Sequence, residues 1–297
     1  MILLALDTST PATAVALRLS DGTIVSARHD PAPDERPGHS TRLLPLAAEL
    51  LAGAQLRFAD VNRIAVGVGP GTFTGLRIGL ATGRGLAQSL ACEIVGVSSL
   101  LALAAGALPI DAPRARARPR AGAAIGSVHA APDAPADPDA ERAPGRGRGI
   151  LAVLDARRGE VFAAAYVHDC PDEGLDALRE LAAPRALPPE RLGSVIEEAS
   201  ARDPRPGPAE WLAVGDGAVR FRGELAGLEA LHVPADDSPL HLLAAERICA
   251  LALHAEPRPL ADILPDYLRR PDAEIALERA AGAAGAASAA GAAGAPA

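Results

Sequence analysis

Residues Gly67 to Gly79 read GVGPGTFTGLRIG, a glycine-rich run between an apolar strand pattern and a helical pattern. A strand, a glycine turn and a helix N-terminus together make a site for an anion, because unpaired N–H groups and the helix dipole both favour negative charge. Gly69 and Gly71 would shape that turn. Asp7, Thr8 and Ser9, where the first strand pattern ends, and Asp216 in a GDG turn are the residues that could complete a magnesium-nucleotide site. The spacing fits no standard phosphate loop: Leu76 stands where GxxxxGK[ST] requires Lys, and Thr74, three residues after Gly71, breaks GxGxxG. Asp also commonly closes a strand in a turn, so Asp7 and Asp216 each have a purely structural reading. Other chemistries lack their residues. The chain has no Lys, none of its seven histidines has another at i+4, and no GxSxG elbow occurs. His39, beside a predicted helix start, reads as a cap or surface residue.

The same run can be read as a packing surface. Gly75, Gly79 and Gly83 recur every four residues on one helical face, and each costs about 1 kcal/mol of helix propensity relative to Ala. The gain that offsets such a cost is close backbone approach by another element. Spacing does not distinguish the protein's own core from a second protein as that element.

Composition sets the outer limits. With 297 residues, 49% hydrophobic content and 2% aromatics, the chain builds a large core from Leu, Val, Ile and Ala. A net charge of -8 argues against a nucleic-acid grip acting alone. Cys92, Cys170 and Cys249 form no CxxC pair, which suits a reducing compartment. The N-terminus lacks the basic region of a signal peptide, and the longest apolar stretch, around Leu100 to Ile110, is too short for a membrane span. A soluble cytoplasmic protein is expected.

The elements that must position these residues follow from periodicity. ILLALDTSTPATAVALRL from Ile2 and ILAVLDARRGEVFAAAYV from Ile150 both read as strand, Asp, tight turn and second strand, with Asp7 and Asp155 in equivalent places. Two such hairpins predict a duplicated α/β unit with a cleft between two lobes. HSTRLLPLAAELLAGAQL predicts a helix capped by Ser40 or Thr41, with an apolar band of Leu43, Leu46, Ala47 and Leu50 plus Leu44, Ala48 and Leu51, wider than one core face requires. A strand over Arg63 to Gly69 and a helix from Thr74 or Gly75 to Leu90 come next. In the last third, WLAVGDGA reads as a strand entering a turn, HLLAAERICALALH as a helix and LPDYLRRPDAE as an extended exit. The expected division is a first lobe at 1–107, a disordered Pro/Ala/Arg insertion at 108–149, a second lobe at 150–279 and a loose Ala/Gly tail at 280–297. Within the insertion, RARARPR at Arg114 to Arg120 reads as a solvated linker more readily than as an RNA or acidic-partner contact.

ILLALDTST, HSTRLLPL, GVGPGTFTGLRIGLATGRGLA, GVSSL and DARRGEVF, in that order, resemble the TsaB (YeaZ) family of the bacterial system that makes threonylcarbamoyladenosine in tRNA, with weaker echoes in VGDGA and PDYLR. The resemblance implies the two-lobed actin-like, Hsp70-like and sugar-kinase-like (ASKHA) fold. It also implies a non-catalytic subunit that binds the catalytic subunit TsaD, helps recruit the ATPase TsaE and meets tRNA only through the complex; homodimer versus monomer in isolation is left open. The metal-binding HxxxH pair of TsaD has no counterpart here. By resemblance the docking surface is the helix pair at about 40–52 and 75–90, with His39, Leu43, Leu46, Leu50, Gly75, Leu76, Gly79, Thr82, Gly83 and Leu86 as interface residues. On that reading Gly79→Leu leaves the monomer folded but abolishes association. Asp7, Thr8, Ser9, Gly69, Gly71 and Asp216 are then a vestigial nucleotide site, with no cofactor required and at most weak ATP or ADP binding. The alternatives are an ATPase acting through those residues or a metallopeptidase-like enzyme, the latter opposed by the missing HxxxH pair.

Overall fold

The computed structural model describes residues 1–32, 34–108, 147–169, 175, 178–202, 208 and 210–269. Two five-stranded mixed sheets organise them. The first hairpin is β1 (Leu3–Asp7) and β2 (Thr13–Arg18), continued by β3 (Ile24–His29). After α1 (His39–Gly53) come β4 (Arg63–Gly69), α2 (Phe73–Leu90), β5 (Glu93–Ser98) and α3 (Ser99–Ala105). The second hairpin is β6 (Arg148–Arg157) and β7 (Glu160–His168), followed by β8 (Leu178–Leu187), α4 (Leu192–Arg202), β9 (Trp211–Val214), α5 (Asp216–Arg220) and α6 (Arg222–Leu225). β10 (Leu231–His232) and α7 (Ala245–His254) complete the described elements.

The sheet orders are β3-β2-β1-β4-β5 and β8-β7-β6-β9-β10. In each, the first two strands form an antiparallel hairpin and the first also pairs in parallel with the fourth, β1 with β4 and β6 with β9. The duplication expected from the two hairpins is therefore present as one topology used twice. Asp7 and Asp155 both lie near the end of a hairpin's first strand, opposite Ala14 and Val161. β1 is buried along its whole length, as a strand covered on both faces must be.

Packing redraws the lobe boundaries. One face of the first sheet packs on α1 and α2 and takes in Ile263; the other packs on α7 through Ala245, Ile248 and Cys249. The second sheet is covered by α4 to α6 on one face and, on the other, by α3 through Leu100, Leu103 and Ala104. The division at 1–107 and 150–279 is thus corrected: α3 completes the core of the second lobe, and α7 with the segment after it completes that of the first. Each sheet has two apolar faces, and the covering helix comes from the other half of the chain. Leu108 is buried, and β6 begins at Arg148, so the insertion is narrower at both ends than expected. The rest of it, RARARPR included, and the tail lie outside the described residues.

The cap prediction at α1 also fails. Gly38 occupies the N-cap position with no side-chain hydrogen bond, and the Thr41 hydroxyl instead donates to the Gly38 carbonyl. Thr72, Gly215 and the cis peptide between Gly69 and Pro70 complete the strand-to-helix turns before α2 and α5.

Candidate functional site

Asp7 ends β1 fully inside the protein, 1% exposed. Its carboxylate accepts hydrogen bonds from the Ser9 amide (2.9 Å), the Ser9 hydroxyl (2.8 Å) and the Ser99 hydroxyl (3.3 Å). Burial pushes its pKa above the usual carboxylate value, opposed by the bonds from Ser9 and Ser99. Gly67 makes the room: a Cβ there would fall 1.8 Å from an Asp7 oxygen. The Thr8 hydroxyl donates to the Gly75 carbonyl at 2.7 Å, and the Thr72 amide donates to the Ser9 carbonyl at 2.7 Å. A Cβ on Gly71 would stand 2.4 Å from that same Ser9 oxygen.

The strand-end turn and the glycine loop are therefore packed on each other, with the Thr72 amide engaged by the Ser9 carbonyl. Gly69 adopts φ +112°, a conformation that favours glycine, against the backbone of Asp266. Asp216 is not brought into this cluster: its carboxylate caps the other hairpin by accepting the Asp155 amide at 3.0 Å, and burial raises its pKa. Of the six residues expected to form a nucleotide site, Asp7, Thr8, Ser9 and Gly71 seal one contact, Gly69 turns the chain and Asp216 braces the second hairpin.

The open space lies beside this seal. A cavity of about 180 Å³ is lined by Gly71 to Phe73 at the start of α2, Asp155 to Arg158 in the β6–β7 turn, Phe162, and Asp266 to Arg269. Arg157 and Arg158 occupy left-handed backbone conformations, φ +64° and +55°, ahead of Gly159. Asp155 holds Arg157 at 3.4 Å and Arg220 at 2.9 Å. α2 has neither a side-chain cap nor an acidic residue in its first turn, so the wall it supplies is positive. Arginines, aromatic rings and a helix N-terminus can hold an anionic group. Of this lining, sequence reasoning named only Gly71; the paired arginines of DARRGE and the PDYLR exit were the available signals for the rest.

The predicted interface residues prove to be mostly interior. His39, Leu43, Leu46, Leu50, Leu76, Gly75, Gly79 and Gly83 are all buried in the first lobe. The glycine face looks inward: a Cβ on Gly75 would lie 1.9 Å from the Thr8 carbonyl oxygen, and one on Gly79 2.4 Å from the Thr8 hydroxyl. At Gly83 the nearest atom, on Val66, is 3.4 Å away, an ordinary contact. The element that approaches α2 closely is thus the protein's own β1 and β4, and these eight residues are not a docking face. Thr82 and Leu86 are partly exposed and remain at the surface. With them on the outer side of α1 and α2 stand Leu44 (45% exposed), Ala48, Ile78, Ala81 and Gly85, whose added Cβ would meet nothing within 4 Å.

His39 is neither cap nor surface residue. Its Nδ1 shares a hydrogen bond of 2.9 Å with the Thr13 hydroxyl, and Nε2 has no partner among the described residues. Burial first, then His29, depress its pKa. A histidine whose folded pKa lies below its unfolded value of about 6.5 contributes stability present above pH 6.5 and lost as pH falls toward the folded pKa. Urea midpoints should therefore drop between pH 7 and pH 5, in part through this residue. A His39→Gln protein should lose that part of the pH dependence; an unchanged slope would refute the assignment.

Two lobes with duplicated sheets, the first completed by α7 and the second by α3, each from the other half of the chain, define the ASKHA class of folds, the actin-like, Hsp70-like and sugar-kinase-like architecture. A family model described as TsaD: tRNA N6-adenosine threonylcarbamoyltransferase matches residues 35–125. The chain is 33% identical over 217 residues to the tRNA threonylcarbamoyladenosine biosynthesis protein TsaB of Escherichia coli, covering 73% of this chain and 72% of the relative. An uncharacterized protein of Mycobacterium tuberculosis is 32% identical over 274 residues, 91% of this chain and 93% of its own. Among solved structures, YeaZ from Pseudomonas aeruginosa superposes with a TM-score of 0.61 at 28% identity, over 90% of this chain and 99% of that one. The chain belongs to the TsaB (YeaZ) family.

Proposed function

We propose that this protein is a partner subunit in threonylcarbamoyladenosine biosynthesis on tRNA, docking on a TsaD-type catalytic subunit, helping to recruit a TsaE-type ATPase and performing no chemistry of its own. One observation carries the reading: the residues that could have held a nucleotide are consumed by internal contacts, while α1 and α2 turn a small, largely apolar outer face to solvent. The stretch matched by the TsaD model, 35–125, contains both helices. A TsaD-type partner then carries an equivalent pair, and the two pairs dock about a pseudo-two-fold axis. The same geometry accounts for a homodimer when the partner is missing. No helix among the described residues is long and apolar enough to cross a membrane. The test is co-expression with the TsaD-type subunit of the same organism, followed by size-exclusion chromatography and a tRNA threonylcarbamoylation assay. Co-elution and dependence of the assay on both chains are expected; separate elution with full activity of the partner alone would overturn the proposal.

A second reading has its own observation, the arginine-lined cavity. It places ATP or ADP, if bound, there and not on Asp7. Calorimetric titration with magnesium-ATP should then give weak binding without turnover, reduced about tenfold or more by Arg157→Ala, the usual cost of a charge-assisted phosphate contact. Hydrolysis by the isolated chain would favour the ATPase alternative.

A further inference from the structure

The segment after α7 crosses from one lobe to the other along the cavity wall. It starts in the first lobe, where Ile263 is buried with the residues of α1 and α2. The Asp266 amide then donates to the Val68 carbonyl at 2.7 Å. The Tyr267 ring lies 5.2 Å from that of Phe73, and its hydroxyl accepts from Arg77 Nε at 3.1 Å. Arg77 in turn lies 3.8 Å over the Phe73 ring. One residue on, Leu268 packs against the core of the second lobe. Arg269 donates to the Ala156 carbonyl at 3.0 Å and pairs with Glu160 at 3.3 Å.

Within seven residues the chain thus anchors in the core of each lobe, and Asp266 to Arg269 line the cavity between the anchors. Its two contacts with the first lobe differ in how readily they release. Ile263 is 2% exposed, whereas Tyr267 is 39% exposed and held by a ring contact and one hydrogen bond to a solvent-facing arginine. Contacts at the surface open locally at lower free energy than buried ones.

We propose that residues 263–269 are a clasp that holds the two lobes together at the cavity, and that the contact of Tyr267 with Phe73 and Arg77 on α2 is its releasable end. Freeing Tyr267 lets the strap lift from α2 and lets the β6–β7 turn move away from the first lobe, opening the cavity from one side. The clasp is a property of the isolated chain and stands whether or not α1 and α2 dock a partner.

Hydrogen exchange followed by mass spectrometry on the full chain tests it, comparing the parent with Tyr267→Ala and Arg269→Ala. Each variant should raise exchange roughly tenfold in peptides spanning 68–76 and in those spanning 153–162, leaving β1 and β7 protected. Tyr267→Phe, which keeps the ring and loses the hydroxyl, should show a smaller rise in the same two regions. Faster exchange at 68–76 without any change at 153–162 would overturn the clasp, since the strap would then belong to one lobe only. So would no change in either region, or a uniform rise through both cores. If Tyr267→Ala does not fold, the Arg269→Ala comparison decides by the same criteria.

Discussion

Gly75→Ala should cost the protein about 3 kcal/mol or more, enough to unfold much of the population of a marginally stable domain. An added methyl would meet the Thr8 carbonyl oxygen at 1.9 Å and the Thr72 hydroxyl at 2.5 Å. The first of these is backbone at the end of β1 and has no rotamer by which to escape. Relief requires α2 to move off the sheet, which breaks the Thr8 hydroxyl's bond to the Gly75 carbonyl. The helix-propensity gain of about 1 kcal/mol for Gly→Ala opposes this and is too small to cancel it. Gly79→Leu should fail through the Thr8 side chain, whose hydroxyl would stand 2.4 Å from the new Cβ and could turn away only by giving up its bond to the Gly75 carbonyl. It would therefore not report on association in a folded monomer, as the glycine spacing alone suggests. Gly85→Ala is the internal control. Its methyl meets nothing within 4 Å, so the propensity gain should appear as a rise of up to about 1 kcal/mol. Urea denaturation of the three variants checks the set; a Gly75→Ala midpoint equal to the parent's would show that α2 does not approach the sheet as described.

The outer face should behave in the opposite way, with little effect on stability and a large one on association. Ala81→Arg on α2 and Leu44→Asp on α1 each place a charge on an exposed position, where surface substitutions usually change stability by no more than about 0.5 kcal/mol. If a TsaD-type helix pair covers that face, each charge is buried without a partner, a cost of about 3 kcal/mol or more. The dissociation constant should then rise more than about a hundredfold. Titration of the purified partner subunit, alongside urea midpoints, separates the two effects. Parent-like affinity in both variants would place the partner elsewhere on the molecule, leaving the fold and family assignment intact.

These two predictions mark where sequence and structure part. Both hairpins, the equivalent positions of Asp7 and Asp155 and the spans of α1 and α2 were legible, because strand alternation and helical periodicity are local properties. The repeat of Gly75, Gly79 and Gly83 was legible as a face that must meet something closely. Its direction was not: periodicity defines a stripe on a helix but does not say whether the neighbour is its own sheet or a second chain. The wide apolar band of α1 divided in the same way, with Leu43, Leu46 and Leu50 inward and Leu44 outward.

The cavity was illegible for a different reason. Phe73, Arg157 and Tyr267 come from three distant parts of the chain, and no local pattern links them. The exchange of α3 and α7 between lobes is likewise nonlocal, since an apolar helix carries no mark of which sheet it will cover.

By itself, then, the sequence determined the repeated α/β unit, the glycine helix and the family resemblance, all of them carried by short-range order in the chain. Only the tertiary structure decided that Asp7, Thr8 and Ser9 close a contact instead of opening a site, that the glycines serve the protein's own β1 and β4, and that the PDYLR exit ties one lobe to the other. The physical reason is common to all three: what a side chain does depends on which backbone lies a few ångströms away, and here that backbone is often remote in sequence.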